Sequence, residues 1–225
     1  ALLAFDAGLL AERGATALIG VDEVGRGSLI GPVVAGAVAF GKPGVGAEDL
    51  LRGLAGLDDS KKLSAERRDA LDAAIRERAW WGVGIASQAE VERLNVYRAS
   101  LLAAWRACLD LAARRGEALG AGDFVALDGR ARLPDWPAAR QCALVKGDGR
   151  SAAIAAASVV AKVYRDRWVA ERAAEYPQYG WAANMGYGVP AHLEAIRLHG
   201  VTPLHRRTFK TVQPPLFEVE SGTSL

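Results

Sequence analysis

The chain has 225 residues, 51% hydrophobic and 24% charged, with a formal net charge of only +2. It is long and apolar enough to bury a sizeable core without cross-links, and too weakly charged for its overall field to announce a nucleic-acid partner, so any such role must rest on local patches. Its two cysteines, Cys108 and Cys142, stand apart from each other and from the three histidines, which excludes a disulfide framework and a zinc site and suits a reducing cytoplasm.

Leu2, Leu3, Phe5, Leu9 and Leu10 recur at helical spacing and predict an amphipathic helix over 1–13. Asp6, Glu12 and Arg13 within it, with no basic lead before an apolar run, argue against a signal peptide. ALIGVD (17–22) and PVVAGAVAF (32–40) read as strands joined by the glycine-rich VGRGSLIG, whose length suits a hairpin connection. Residues 42–62 read as irregular. Ser64 is placed to cap a charged helix over 65–78, with Arg67 following. WWGVGIAS (80–87) is a third strand, on which only one of Trp80 and Trp81 is expected to face a core.

From Gln88 to Arg115 helical periodicity runs with a break near Asn95, and Leu101, Leu102, Trp105, Leu109 and Leu111 are the expected buried positions. FVALD (124–128) and CALVK, ending at Lys146, complete five strands. The helix expected over 151–175 carries Ala152, Ala153, Ala155, Ala156 and Ala157, a face small enough to lie close on a sheet. A further helix is expected near 190–199. No stretch reaches the roughly 18 consecutive apolar residues of a membrane span. Strands that begin as a meander and then alternate with helices predict a mixed α/β sheet with helices on its faces.

The carboxylates carry the first chemical signal. Asp22 and Glu23 close the first strand, Asp128 ends another immediately before Gly129, and Asp148 follows Gly147 just past a third. Strand ends are where α/β sheets place their sites. Each acid could equally be a turn or capping residue. Neighbouring strand residues point to opposite faces, so Asp22 and Glu23 are expected to share a site only if the backbone leaves strand geometry, which Gly25 and Gly27 permit. If the four converge, unit charges about 4 Å apart repel by about 4 kcal/mol at an effective dielectric near 20, so a cation is the natural complement. Oxygen-only ligands favour Mg²⁺ or Mn²⁺, and two such ions suit phosphodiester hydrolysis, although other metal-dependent phosphate enzymes share the pattern.

GVDEVGRGSLIGPVVAGAV (20–38) closely resembles the N-terminal signature of the ribonuclease HII family. DSKKLS (59–64), EVERLN (90–95), ALDGR (126–130), VKGD (145–148) and IAAASVVAKVYRDR (154–167) follow in the family's order, as do GYG (186–188) and HLEAIRLHGVTPLHRRTF (192–209). Two departures are Glu92, where a shorter acid is common, and Ser28, where proline is frequent; the serine is expected to loosen its loop. Arg26 between Gly25 and Gly27 favours type HII over type HIII.

The resemblance implies a ribonuclease H-like α/β fold, with a five-stranded mixed sheet in a catalytic domain over 1–175 and a small helical and extended C-terminal appendage over 176–225. It implies endonucleolytic hydrolysis of the RNA strand of RNA–DNA hybrids, and incision 5′ of ribonucleotides embedded in duplex DNA, by a cytoplasmic monomer using two Mg²⁺ or Mn²⁺ ions and no membrane. A hybrid-binding module without catalysis is the alternative. The family's catalytic and metal-holding acids fall on Asp22, Glu23, Asp128 and Asp148.

RNA differs from DNA at the 2′-hydroxyl, so hydrogen-bonding groups must face the groove that displays it. Gly25, Arg26 and Gly27 suit this, since glycines admit close approach and the arginine meets phosphate or sugar oxygens. A dinucleotide fingerprint does not fit, because the loop precedes a strand. The resemblance places Tyr187 against the sugar at an RNA–DNA junction. Lys61, Lys146, Lys162 and Arg165 are the basic candidates for holding backbone phosphates, and Arg206, Arg207 and Lys210 form a later cluster. Ser158 reads as a small helix-packing residue one turn before Lys162, and is carried as a substrate-contact candidate. His205 reads as packed or hydrogen-bonded.

Overall fold

Five strands form one mixed sheet in the order β3-β2-β1-β4-β5. In this computed structural model, which describes residues 1–57 and 63–212, β1 (Ala17–Val24), β2 (Val33–Ala39) and β3 (Trp80–Ala86) make the antiparallel meander. The strands β4 (Asp123–Asp128) and β5 (Gln141–Leu144) then add in parallel on the other side of β1. Lys61, Lys62 and the tail after Val212 lie outside the described residues.

Eight α-helices surround the sheet among the described residues: α1 (Leu2–Arg13), α2 (Ala47–Gly53), α3 (Ala65–Arg78), α4 (Gln88–Leu94), α5 (Val96–Arg115), α6 (Ala152–Ala173), α7 (Trp181–Asn184) and α8 (Pro190–His199). Ser64 caps α3 by accepting from Arg67 N at 3.2 Å. The break at Asn95 separates α4 from α5, and its side chain accepts from the amides of Tyr97 and Arg98. The α2 helix lies within the stretch expected to be irregular. It buries none of its own residues, so no apolar periodicity marks it, although Glu48 and Asp49 in its first turn and Arg52 in its last complement its dipole.

Small residues set how the two main helices lie. A Cβ at Gly20 or Gly36 would collide with α6 backbone at Ala153 or Ala157, and one at Gly82 or Gly84 with α5 backbone. The alanine face of α6 therefore rests directly on the sheet. The same closeness overturns part of the expected α5 face. Leu109 is exposed, whereas Ala99, Ala103, Ala107, Cys108 and Leu111 are buried, because the gap above Gly82 and Gly84 admits little beyond methyl-sized groups. Trp80 and Trp81 also depart from expectation. Both pack, since each sheet face carries its own core; Trp81 in addition lies between the guanidinium groups of Arg76 and Arg114, at 4.0 and 3.7 Å. Residues between 176 and 204 build a further core over the far end of α6, where Trp181 and Tyr179 meet Ile30, Val169 and Ala173. No described helix is long and apolar enough to cross a membrane.

Candidate active site

The parallel register sets Val21 opposite Leu127, and the next residues along the two strands are Asp22 and Asp128. Strand geometry does not end at these acids: β1 continues to Val24, with Asp22 opposite Gly36 and Glu23 opposite Ala35. The expected departure from strand geometry does not occur. Asp22 falls on the α6 side, where the Ser158 hydroxyl bonds its carboxylate, whereas Glu23 borders the α5 side beside Leu101 and Ala104. Charges on the two faces still reach each other beyond the last β1–β4 pair, Val21 with Leu127, where β4 ends at Asp128.

Burial, followed by the charges of Glu23 and then Asp128, pushes the Asp22 carboxyl up to about 8. Its Oδ1 accepts the Glu23 amide at 2.8 Å. Asp128 Oδ1 accepts the Gly147 amide at 2.6 Å, which ties the β4 acid to the turn carrying Asp148. That turn, Gly147–Gly149, follows Lys146, a non-glycine residue held at φ 56°. Thus the charges of Glu23 and Asp128 both act on Asp22, with Asp148 one residue beyond the Asp128 anchor. Among the described residues no three carboxylate, imidazole or thiol groups are gathered closely enough to form a finished ligand set; Glu23 instead faces Arg26 at 3.0 Å. In charge and donor chemistry the acids fit hard divalent cations, which would relieve the repulsion that raises Asp22.

The connection between β1 and β2 is not a tight hairpin turn. It swings out as a loop held between two distant segments. Leu29 N donates to Gly186 O at 2.8 Å, Gly31 N to Leu204 O at 2.9 Å, and Arg206 N to Leu29 O at 2.8 Å. Gly25 sits at φ 88°, where an added Cβ would also strike the Arg165 side chain. Gly27 faces the Tyr187 ring, with space for a methyl group at contact distance. The tyrosine keeps 37% of its surface exposed. The predicted sugar-reading residues are therefore neighbours although 160 positions separate Gly27 from Tyr187.

Ser28, expected to loosen the loop, is fully buried and fastens it: its hydroxyl lies 3.0 Å from Gly186 O and 3.1 Å from Ile30 O. Arg206, grouped in the sequence with phosphate-binding residues, is also fully buried. Its Nε donates to Gly31 O at 2.8 Å, and its Nη1 to Ser28 O and Arg26 O at 2.8 and 3.0 Å. Burial, then the Arg165 charge, lowers its pKa to about 9. Arg165 itself has no exposed surface, donates to Met185 O at 3.2 Å and lies 5.8 Å from the Tyr187 ring. Lys162 pairs with Asp166 at 2.6 Å, and Lys146 is exposed.

A neutral histidine chain completes the clamp. Thr202 N donates to His205 Nδ1 and Trp181 Nε1 to His192 Nε2; the 3.2 Å contact between the two Nε2 atoms then requires the proton on His205, and His192 Nδ1–H points to Tyr187 O at 2.9 Å. Nothing local in the sequence marks Ser28 or Arg206 as a clamp, because Ser28 meets Gly186 and Arg206 meets Arg26, Ser28 and Gly31 from the other end of the chain.

The Ribonuclease HII family description matches residues 19–212, from within β1 to the last described residue. The ribonuclease HII of Erythrobacter litoralis is 48% identical over 207 residues, covering 89% of this chain and 91% of that protein. This chain belongs to the ribonuclease HII family. Ribonucleases HII are endoribonucleases that cleave RNA in RNA–DNA hybrids, and the family depends on divalent metal. Among solved structures, ribonuclease HII of Archaeoglobus fulgidus, in complex with PCNA, matches with a TM-score of 0.65 and 26% identity, over 89% of this chain and 98% of that one. Bst-RNase HIII in complex with Mn²⁺ shares the fold, with a TM-score of 0.64 and 19% identity over 90% and 70% of the two chains. The mixed five-stranded sheet read from the sequence is that of ribonuclease HII.

Proposed function

We propose that this chain cuts the RNA strand of RNA–DNA hybrids and also incises 5′ of single ribonucleotides in duplex DNA, leaving 5′-phosphate and 3′-hydroxyl ends. Asp22, Glu23, Asp128 and Asp148 would hold two ions, Mg²⁺ or Mn²⁺. The observation that carries this reading is the Asp22 carboxyl, raised by burial and by the neighbouring Glu23 and Asp128 charges at an open sheet edge. When bound, such ions supply activation of the attacking water and neutralisation of charge on the leaving oxygen.

The remaining roles belong to the protein. Gly25 to Gly27 present backbone groups to the ribose, and Tyr187 offers its half-exposed ring to the adjoining sugar. Arg26, now paired with Glu23, is placed to exchange that partner for a substrate oxygen. Lys61, Lys146 and Lys162 hold phosphates. Ser158 orients Asp22, and Arg165 supports the glycine loop from beneath. The chain acts as a monomer, with residues 1–175 carrying the chemistry and the segment from 176 clamping the recognition loop.

The test is cleavage of a duplex carrying one ribonucleotide, with all-DNA and all-RNA duplexes as controls, in Mg²⁺, in Mn²⁺ and in chelator. Metal-dependent incision confined to the ribonucleotide duplex is expected; cutting of all three duplexes, or none, overturns the reading. Tyr187→Ala should impair single-ribonucleotide incision more than cleavage within RNA tracts. Equal loss on both substrates removes the junction role.

A further inference from the structure

Beyond Glu23, Arg26 and Asp128 the surface continues into a groove whose remaining residues have no part in the proposed function. A cleft of about 340 Å³ bordered by Glu23, Arg26, Asp128 and Arg130 adjoins another of about 530 Å³ bordered by Arg98, Trp105, Arg132 and Asp135. Tyr97 and Leu101 line both, so the two clefts form one path leading away from the acids. Tyr97 is 51% exposed. Its backbone is nonetheless well anchored, because Asn95 Oδ1 accepts the Tyr97 and Arg98 amides at 3.0 and 3.1 Å at the start of a 20-residue helix.

Three arginines of this path are not committed to a carboxylate, whereas Arg26 at its inner end pairs with Glu23. Arg106, Arg114, Arg115, Arg167 and Arg197 each pair with a carboxylate. Arg98, Arg130 and Arg132 are exposed and have no ion pair among the described residues. Asp135 is the one acid bordering the outer cleft. Free guanidinium groups flanking an exposed aromatic ring are the combination that holds a sugar–phosphate strand: charge tracks the backbone and the ring stacks on a base or sugar.

We infer that this groove is a subsite for the nucleic-acid strand flanking the cut, with Arg98, Arg130 and Arg132 on its phosphates and Tyr97 against a base or sugar. The inference rests on the chain being a hybrid nuclease. Continuity with Glu23 and Asp128 is what assigns a flank of the substrate to the groove, since a strand leaving the acids along this path must pass Tyr97.

The experiment measures binding, in chelator, of a short RNA–DNA hybrid and of versions lengthened by about ten base pairs on either side. In the wild type, lengthening should tighten binding on at least one side. The triple variant Arg98→Gln/Arg130→Gln/Arg132→Gln should lose about tenfold of that gain and lower the slope of log Kd against log salt by about 2 to 3. Tyr97→Ala should lose about tenfold with the salt slope kept. All four residues are exposed, and matching thermal unfolding shows that the variants fold. The inference fails if lengthening gains nothing in the wild type, or if the triple variant keeps the gain within twofold; the latter is also what a groove serving an acidic peptide would give. Wild-type cleavage of the short hybrid in Mg²⁺ or Mn²⁺ tests the underlying reading separately: its absence sinks the nuclease assignment, whereas its presence with an unaltered length gain sinks only the groove.

Discussion

The carboxylate cluster and the loop clamp each bury like charges together, one of acids and the other of arginines, and differ in what surrounds them. At the edge, acids are set against acids, and the Asp22 carboxyl rises to about 8 because burial and its neighbours oppose its ionisation. In the clamp, a buried guanidinium meets three carbonyls and two buried histidines hydrogen-bond in neutral form, while Arg165 Nε and Nη2 and Arg206 Nη2 are buried without a hydrogen-bond partner. Neighbouring charge opposes the ionisation of Asp22, whereas in the clamp carbonyls answer part of the buried charge although burial and Arg165 still lower Arg206. Both regions therefore hold ionisable groups against their electrostatic preference, and in the clamp three carbonyls offset part of that cost.

The contrast breaks most sharply at the acids. Asp22→Asn or Asp128→Asn should lower cleavage at least 1,000-fold, about 4 kcal/mol in the barrier, while hybrid binding stays within tenfold. Near-normal turnover in both variants would remove the acids from the chemistry. Next in size is Arg206→Met, which strips the donor from the Gly31, Ser28 and Arg26 carbonyls and should destabilise the fold by about 3 kcal/mol in urea unfolding. Unchanged stability would mean that the clamp contributes nothing net.

The histidine chain sharpens the comparison through pH. His205 is depressed to about 4, by burial and then by His192, so the unfolded chain binds more protons between that value and about 6.5. Its contribution is present above about 6.5 and lost as pH falls toward 4. At pH 5 the residue should cost about 2 kcal/mol relative to pH 7, and His205→Gln should remove that part of the slope in unfolding measurements at the two pH values. The smallest effect is expected from Ser28→Ala. Loss of its bond to Gly186 should cost about 1 kcal/mol, and free loop motion should lower single-ribonucleotide incision more than tract cleavage; equal activity on both would leave Ser28 a packing residue.

What can be read along the chain is what neighbouring residues decide. Alternation and apolar runs determine the five strands, Ser64 and Asn95 mark helix starts through amides two or three residues away, and Asp128 stands out at a strand end beside a glycine, whereas Asp22 and Glu23 prove to lie within β1 and Asp148 in the turn after β5. The helix over 47–53 escapes this reading, since its only signals are end charges. Tertiary structure alone decides the rest. Leu109 turns outward because glycines on another strand draw α5 too close, and Trp80 and Trp81 both pack because separate helices cover the two faces. Arg165 and Arg206 are buried beneath the glycine loop, and Tyr187 meets Gly27. Burial and hydrogen bonding are properties of what surrounds a side chain, and at these positions the surroundings come from other elements, about 25 residues away for Leu109 and 160 for Tyr187 and Gly27.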